Sequence, residues 1–206
     1  MRSLSGWRQL ASVVLLGMAV VPAACRHLEY VSMKPLDEAG FSFSSIRQIE
    51  QLDPTKEEVA ELVIAVKGGV SESACVDLVR IARGQKRHFA EGEAVGALHA
   101  ASIADPTILE LARLQQIASW SGEAQAIRLT GISDRVIVAV AQRRAAGQPV
   151  PAGASLAHLK DAGVSEDTLL ELLNRGITDT DAESIVWRKK RRWTDEQVLH
   201  DFPPKS

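Results

Sequence analysis

A four-residue pattern recurs along this chain and limits what it can fold into more than any other feature of the sequence. The pattern is Gly, an apolar residue, Ser or Thr, and an acid, and it stands at 69–72, 131–134, 163–166 and 176–179. A looser copy, Ser-Ile-Ala-Asp, stands at 102–105. Apolar residues follow the third position of every copy at plus 4, plus 7 and plus 8, the spacing of one face of an α-helix. The repeat therefore predicts a series of helices, each entered through the same kind of turn.

Each position of the pattern has a physical role. Gly ends the preceding helix in the left-handed conformation, because it has no Cβ to clash there. Ser or Thr caps the next helix by accepting a hydrogen bond from a free backbone N–H, and the acid lies at the positive end of the helix dipole. Thr178 with Asp181 has the form of a capping box. These roles are explained by capping chemistry alone and require no catalysis.

The spacing of the copies and the composition together predict the fold class. The third positions are 33, 29, 32 and 13 residues apart, and the first three spacings suit stacked two-helix units. The chain is 46% hydrophobic with one Tyr and four Phe, so its core must consist of Leu, Ile, Val and Ala, which favours helices. We predict an all-α domain over 46–202, built as an irregular bundle or a short solenoid of helical hairpins, with a disordered tail at 203–206.

The N-terminal stretch has the three parts of an export signal. Arg2 and Arg8 precede an apolar run at 10–21, and the small pair Ala23-Ala24 follows. A run of about 12 residues is too short to span a bilayer as a helix. Residues 1–24 are therefore predicted to be a signal peptide outside the fold.

The residues Ala23-Ala24-Cys25 resemble the lipobox of bacterial lipoproteins. In that family the Cys becomes the first mature residue and carries acyl chains. The resemblance implies a lipid anchor at Cys25, a tether over 25–45 and a membrane-bound place in the bacterial cell envelope. Pro22 stands where the family usually has Leu or another aliphatic residue. The alternative is ordinary cleavage after Ala23 or Ala24, which gives a free periplasmic or secreted protein.

The stretch from Leu169 to Ile185 resembles the helix-hairpin-helix module, which grips DNA phosphates through the backbone of a Gly-hydrophobic-Gly turn. Here Thr178 stands at the second Gly and Asp179 follows it. A carboxylate at that place repels phosphate. The chain also carries a formal charge of −2, which becomes −4 without the two arginines of residues 1–24. We therefore expect the fold to be shared and predict no nucleic-acid partner.

The motifs of common active sites are absent from the sequence. Its five histidines form no metal-binding pattern, and it contains no Gly-x-Ser-x-Gly elbow and no phosphate-binding Gly loop. Cys75 lies on the apolar face of a predicted helix, which favours a buried hydrophobe over a reactive thiol. We predict no cofactor, no metal and no enzyme, although scattered residues can also assemble an active site.

One charged segment is not explained by the helical repeat. Trp187 and Trp193 flank five consecutive cations: Arg188, Lys189, Lys190, Arg191 and Arg192. Such a segment suits an anionic lipid surface or another polyanion, although a solvated helix end has the same composition. The leading hypothesis is a non-catalytic interaction or structural module that binds an envelope protein. The alternative is surface or polyanion binding through 187–193.

Overall fold

The computed structural model describes residues 31–203, which form twelve α-helices and no strand. In chain order the helices are α1 (Lys34–Glu38), α2 (Phe43–Glu50), α3 (Lys56–Lys67), α4 (Glu72–Gly84), α5 (Gly92–Ala100), α6 (Asp105–Arg113), α7 (Ile117–Leu129), α8 (Asp134–Ala145), α9 (Gly153–Asp161), α10 (Glu166–Asn174), α11 (Asp179–Lys190) and α12 (Asp195–Asp201). The all-α prediction is confirmed. None of these helices combines the length and the apolar character that crossing a membrane requires.

Helices two apart in the chain pack side by side, and this arrangement makes two layers. The odd-numbered helices from α1 to α11 form one layer, and the even-numbered helices from α2 to α12 form the other. Each odd helix and the even helix after it form a hairpin, so the described chain is a stack of six hairpins. Of the two arrangements that the sequence left open, this is the short solenoid.

A residue with positive φ stands at the turn inside every one of these hairpins. The six residues are Gly40, Gly69, Ser102, Gly131, Gly163 and Arg192. The looser copy is therefore a true member of the repeat, with Ser102 at the Gly position. The first and last turns, at Gly40 and Arg192, were missed because one lacks the acid and the other lacks the Gly. Gly176 also has positive φ, but it joins α10 to α11, between two hairpins.

The helical stack begins earlier than the sequence predicted. The stretch 25–45 was assigned to a tether, but α1 and the start of α2 lie within it. Leu36 and Phe41 are buried in the core, and the hydroxyl of Ser42 caps α2 by accepting from the N–H of Ser45. The first described helix therefore begins at Lys34. The signal peptide at 1–24, Cys25 and residues 204–206 lie outside the described residues.

Most of the predicted caps are present. The hydroxyls of Ser71, Ser165 and Thr178 each accept from the backbone N–H three residues later. The capping box of Thr178 and Asp181 is confirmed. Ser133 is the exception: its hydroxyl makes no cap and donates to Glu166, 2.5 Å away in the next hairpin. The predicted capping bond is therefore wrong at this position, where the hydroxyl bonds to the next hairpin and not to its own helix.

The acid of each turn bonds to the preceding hairpin, a role that the sequence did not suggest. Asp134 accepts from the N–H of Ala104 at 2.9 Å, and Asp195 accepts from the N–H of Ser165 at 3.0 Å. We call the set that makes such bonds the carboxylate ladder; its members are Glu72, Asp105, Asp134, Glu166 and Asp195. In each case the donor is the capping residue of the even helix one hairpin earlier. The ladder therefore joins consecutive hairpins along the even layer.

Cations and amides of neighbouring hairpins bind the carbonyl ends of helices in the same way. Arg83 donates to the carbonyls of Leu52 and Asp53, which follow α2, at 3.1 and 2.9 Å. Gln85 donates to the carbonyls of Ala112 and Arg113 at the end of α6, both at 3.0 Å. Similar bonds run from Arg128 to Ser102, from Arg143 to Asn174, from Lys160 to Gly131 and from Arg175 to Phe202. Helix ends of one hairpin are thus satisfied by side chains of an adjacent hairpin, either the one before or the one after.

The ladder can be tested at Asp134, whose removal leaves the N–H of Ala104 without its acceptor. Ala104 has no side chain to cap α6, so we expect Asp134→Ala to lower the free energy of unfolding by about 1–3 kcal/mol. Asp167→Ala is the matched control. It removes another first-turn acid, but one that is exposed and pairs only with the exposed Arg135, so the loss should stay below about 1 kcal/mol. Urea unfolding measures both, and equal losses would contradict the ladder.

Candidate interaction site at the last hairpin turn

The Trp-flanked cations lie at the turn of the sixth hairpin. We call residues 187–193 the basic turn. It consists of the last turn of α11, the connection at 191–192 and Trp193, which packs against the core just before α12. It lies at the position in the repeat where most other hairpins have a Gly turn. The seven predicted residues therefore lie at one turn, but some of them are held inside the fold and others face solvent.

Arg188 is held inside the sixth hairpin. Its Nη2 lies 2.6 Å from Oδ2 of Asp201, and Nη1 donates to the hydroxyl of Ser184. Its guanidinium also lies over the rings of Trp193 and Phe202, at 5.4 and 5.0 Å from their centroids. These contacts tie α11 to the end of α12. Arg188 is therefore part of the fold and is not offered to a ligand.

Lys189 is held in the same way. Its Nζ lies 2.6 Å from Oδ1 of Asp195, and its side chain is only 11% exposed. Burial alone favours the neutral acid, but Lys189 and the hydrogen bonds from Ser165 outweigh burial and lower the pKa of Asp195. Asp195 is the last member of the carboxylate ladder. Lys189 therefore supports the joint between the fifth and sixth hairpins.

The remaining residues of the basic turn face solvent. Lys190, Arg191 and Arg192 are exposed, and Trp187 is 54% exposed. The Arg191 guanidinium lies 3.2 Å from the centroid of the Trp187 ring, a cation–π contact. Within residues 31–203, no carboxylate lies within ion-pair distance of these three cations. This leaves a compact surface of one aromatic ring and three cations.

Arg192 holds a backbone conformation that its side chain disfavours. Its φ is +66°, at a position where four of the other five hairpins have Gly. For a residue with a Cβ, the left-handed conformation costs roughly 1–2 kcal/mol. Asp53, Lys86, Ser102 and Gln115 share this conformation, so the described chain tolerates its cost at several turns.

A small pocket lies between the turns of the fourth and fifth hairpins. Its lining is mostly apolar, with the charged groups of Lys160 and Glu166 at its sides, and it includes Gly131, Ile132, Val136, Val164 and Leu169. Leu129 ends α7 two residues before Gly131 and is 78% exposed. Leu129 was not among the residues that the sequence pattern predicted for a site. The signal that could have found it is an apolar residue at a helix end, outside the buried stripe.

Glu58 is the most deeply buried carboxylate among the described residues. Its oxygens accept from Arg83 at 2.6 and 2.7 Å, from the N–H of Thr55 at 2.9 Å and from the N–H of Phe89 at 2.8 Å. Burial would raise its pKa, but these bonds outweigh burial and lower the pKa of Glu58 to about 2. Together they join α3, α4 and the start of the third hairpin. The capping-box spacing of Thr55 and Glu58 is the sequence signal that could have found this cluster.

Other reactive groups of the described chain are also placed inside the fold. Cys75 is fully buried, and burial together with the nearby Asp105 and Glu72 raises the pKa of its thiol to about 12. Between residues 31 and 203, no group of three His, Cys, Asp or Glu residues could hold a metal ion. Cys25, the predicted lipidation residue, lies outside the described residues.

The Glu58 cluster makes a prediction about stability and pH. Because the pKa of Glu58 falls from 4.5 to about 2 on folding, its contribution is complete above about pH 5 and is lost as the pH falls through 2. Glu58→Gln should lower the free energy of unfolding by about 3 kcal/mol at pH 7 and by about half of that at pH 3. Urea unfolding at a series of pH values measures this gap. A gap that does not change with pH would overturn the assignment, and the exposed Glu93→Gln provides the control.

Comparisons with known proteins add nothing to the geometry of these sites. No protein-family model matches the sequence, and neither a curated protein nor a solved structure matches it. Among the described residues, the basic turn and the surface around Leu129 are two places where groups suited to a partner stay exposed, and Phe43 on α2 is another.

Proposed function

We propose that this chain is a non-catalytic helical module that is exported to the bacterial envelope and binds another envelope protein there. The observation that carries the proposal is the stack of six hairpins in two layers. Stacked hairpins of this kind present long surfaces that suit the recognition of another chain. The export signal and the lipobox resemblance at Cys25 supply the location.

The use of the polar side chains also supports a binding role. The acids of the carboxylate ladder and Glu58 accept from helix N-termini, and the arginines at helix ends donate to carbonyls. Groups engaged in this way hold the hairpins in register and are not free to act on a substrate. The solvent-exposed surface of the stack is therefore suited to binding a partner.

The surface around Leu129 is the best place for the protein partner. A leucine that is 78% exposed can contact an apolar group of a partner, and a pocket lined mostly by apolar residues, with Lys160 and Glu166 at its sides, begins at Gly131, two residues further along the chain. Protein interfaces combine an apolar centre with a polar rim in this manner. A partner is expected to place an apolar side chain beside Leu129.

Photo-crosslinking in intact cells tests the protein partner. A photoreactive amino acid at position 129 should give a discrete adduct with one envelope protein. The matched control is the same probe at position 43, because Phe43 is similarly exposed at 74% but lies on α2 in the even layer of the first hairpin. An adduct at position 129 and none at 43 is the expected result. No adduct at either position, or the same adducts at both, would remove the proposal.

Mass spectrometry of the exported protein tests the anchor. We expect a mature N-terminus at Cys25 that carries acyl chains, since the residue follows Ala23-Ala24 at the end of the signal. Cys25→Ser should release the protein from the membrane fraction. An unacylated N-terminus in the wild-type protein would contradict the anchor and leave a free periplasmic or secreted module.

A further inference from the structure

We propose that the basic turn binds the headgroup surface of a membrane rich in anionic phospholipids. The contact is made by Trp187, Lys190, Arg191 and Arg192. It goes beyond the protein-binding role and needs neither a protein partner nor the lipid at Cys25. The two proposals therefore stand or fall separately.

Among the described hairpins, only the sixth has a cation directly before the left-handed position. In the other five hairpins, the residue before the left-handed position is uncharged: Ala39, Gly68, Ala101, Thr130 and Ala162. In the sixth hairpin this residue is Arg191, with Lys190 before it and Arg192 after it. The fold thus needs no cation at this place. Arg188 and Lys189 have internal carboxylate partners, and the three cations that follow them have none within residues 31–203.

The exposed tryptophan favours a lipid surface over a purely ionic partner. Trp187 is 54% exposed, and tryptophan prefers the boundary between water and hydrocarbon. Its ring stacks on Arg191, so an indole at the level of the headgroups would bring this guanidinium to the phosphates. A ring and a cation held together in this way suit a surface that offers both apolar and anionic groups.

The backbone of Arg192 allows charge and stability to be tested separately. Gly would fit its conformation without strain, and most hairpin turns of this chain use Gly. An arginine at this place lowers the stability of the turn but adds a third cation to the surface. The two effects oppose each other, so one substitution can separate them.

A long polyanion such as a nucleic acid fits this surface less well. The neighbouring turn of the fifth hairpin carries the exposed Asp167 and the partly exposed Glu166, with side chains 85% and 41% exposed, and these two acids outnumber the single Arg135 that pairs with both. A chain of phosphates that continued from the basic turn along this edge would meet these carboxylates and be repelled. A membrane needs to touch only the one turn at the end of the stack.

Cosedimentation with vesicles tests the proposal. The exported protein with Cys25→Ser, purified without residues 1–24, is compared with a turn variant that also carries Lys190→Ala, Arg191→Ala and Arg192→Gly. Vesicles are phosphatidylcholine with or without phosphatidylglycerol. Each cation near an anionic surface strengthens partitioning about fivefold, so the turn variant should bind anionic vesicles about a hundredfold more weakly. Trp187→Ala should weaken binding as well.

A charge-matched variant separates the turn from the net charge. Lys56→Ala, Lys67→Ala and Lys86→Gly remove three exposed cations elsewhere, and Lys86 has a positive φ like Arg192. This control should bind within about twofold of the parent chain. Equal weakening by the two triple variants would overturn the proposal, as would unchanged binding of the turn variant.

Two further measurements complete the test. Arg192→Gly alone should raise the urea midpoint of unfolding and still weaken vesicle binding about fivefold, a combination that loss of structure cannot produce. Duplex DNA in place of vesicles, at the same salt concentration, tests the other polyanion. Tighter binding to DNA than to vesicles, with the same dependence on the turn cations, would overturn the assignment to lipid.

Discussion

The stack depends on how the ends of its helices are satisfied. Every α-helix leaves four N–H groups and four carbonyls without partners inside the helix. The helices within residues 31–203 have between 5 and 13 residues, so these end groups are a large share of the backbone. Side chains of the adjacent hairpin supply many of the missing partners: carboxylates at the N-terminal ends, and arginine, lysine or glutamine at the C-terminal ends. Neighbouring hairpins therefore stabilise each other through polar bonds as well as through the apolar core.

This arrangement explains how an array with weak sequence similarity keeps a regular geometry. Ser102 and Arg192 both adopt the left-handed conformation that Gly has elsewhere, and Ala104 takes the capping place without a hydroxyl. The turn at Ala104 still closes, because Asp134 of the next hairpin accepts from its backbone N–H. A bond to the backbone tolerates any residue at the donor position, so the copies can diverge while the ladder remains.

The same bonds divide the charged residues into two groups. Asp195 binds the preceding hairpin and Lys189 together, and Arg188 joins α11 to Asp201. Charges of this group hold the fold. Lys190, Arg191 and Arg192 follow directly in the sequence, but they lie at the end of α11 and in the connection after it, and they have no such partner among the described residues. Within this run of five cations, the first two therefore hold the fold and the last three stay available to a ligand.

The sequence by itself determined the features that depend on residues close together in the chain. The helices, the glycine turns at Gly69, Gly131 and Gly163, and the capping box at Thr178 follow from periodicity and local hydrogen bonding. The first hairpin was missed because its turn at Gly40 lacks the acid. Only the tertiary structure decided that the helices form two layers, that Asp134 reaches Ala104, and that Arg188 and Lys189 are internal while Trp187 is exposed. The reason is that the layers and the ladder depend on contacts between hairpins about thirty residues apart, and side-chain exposure depends on which helices pack alongside.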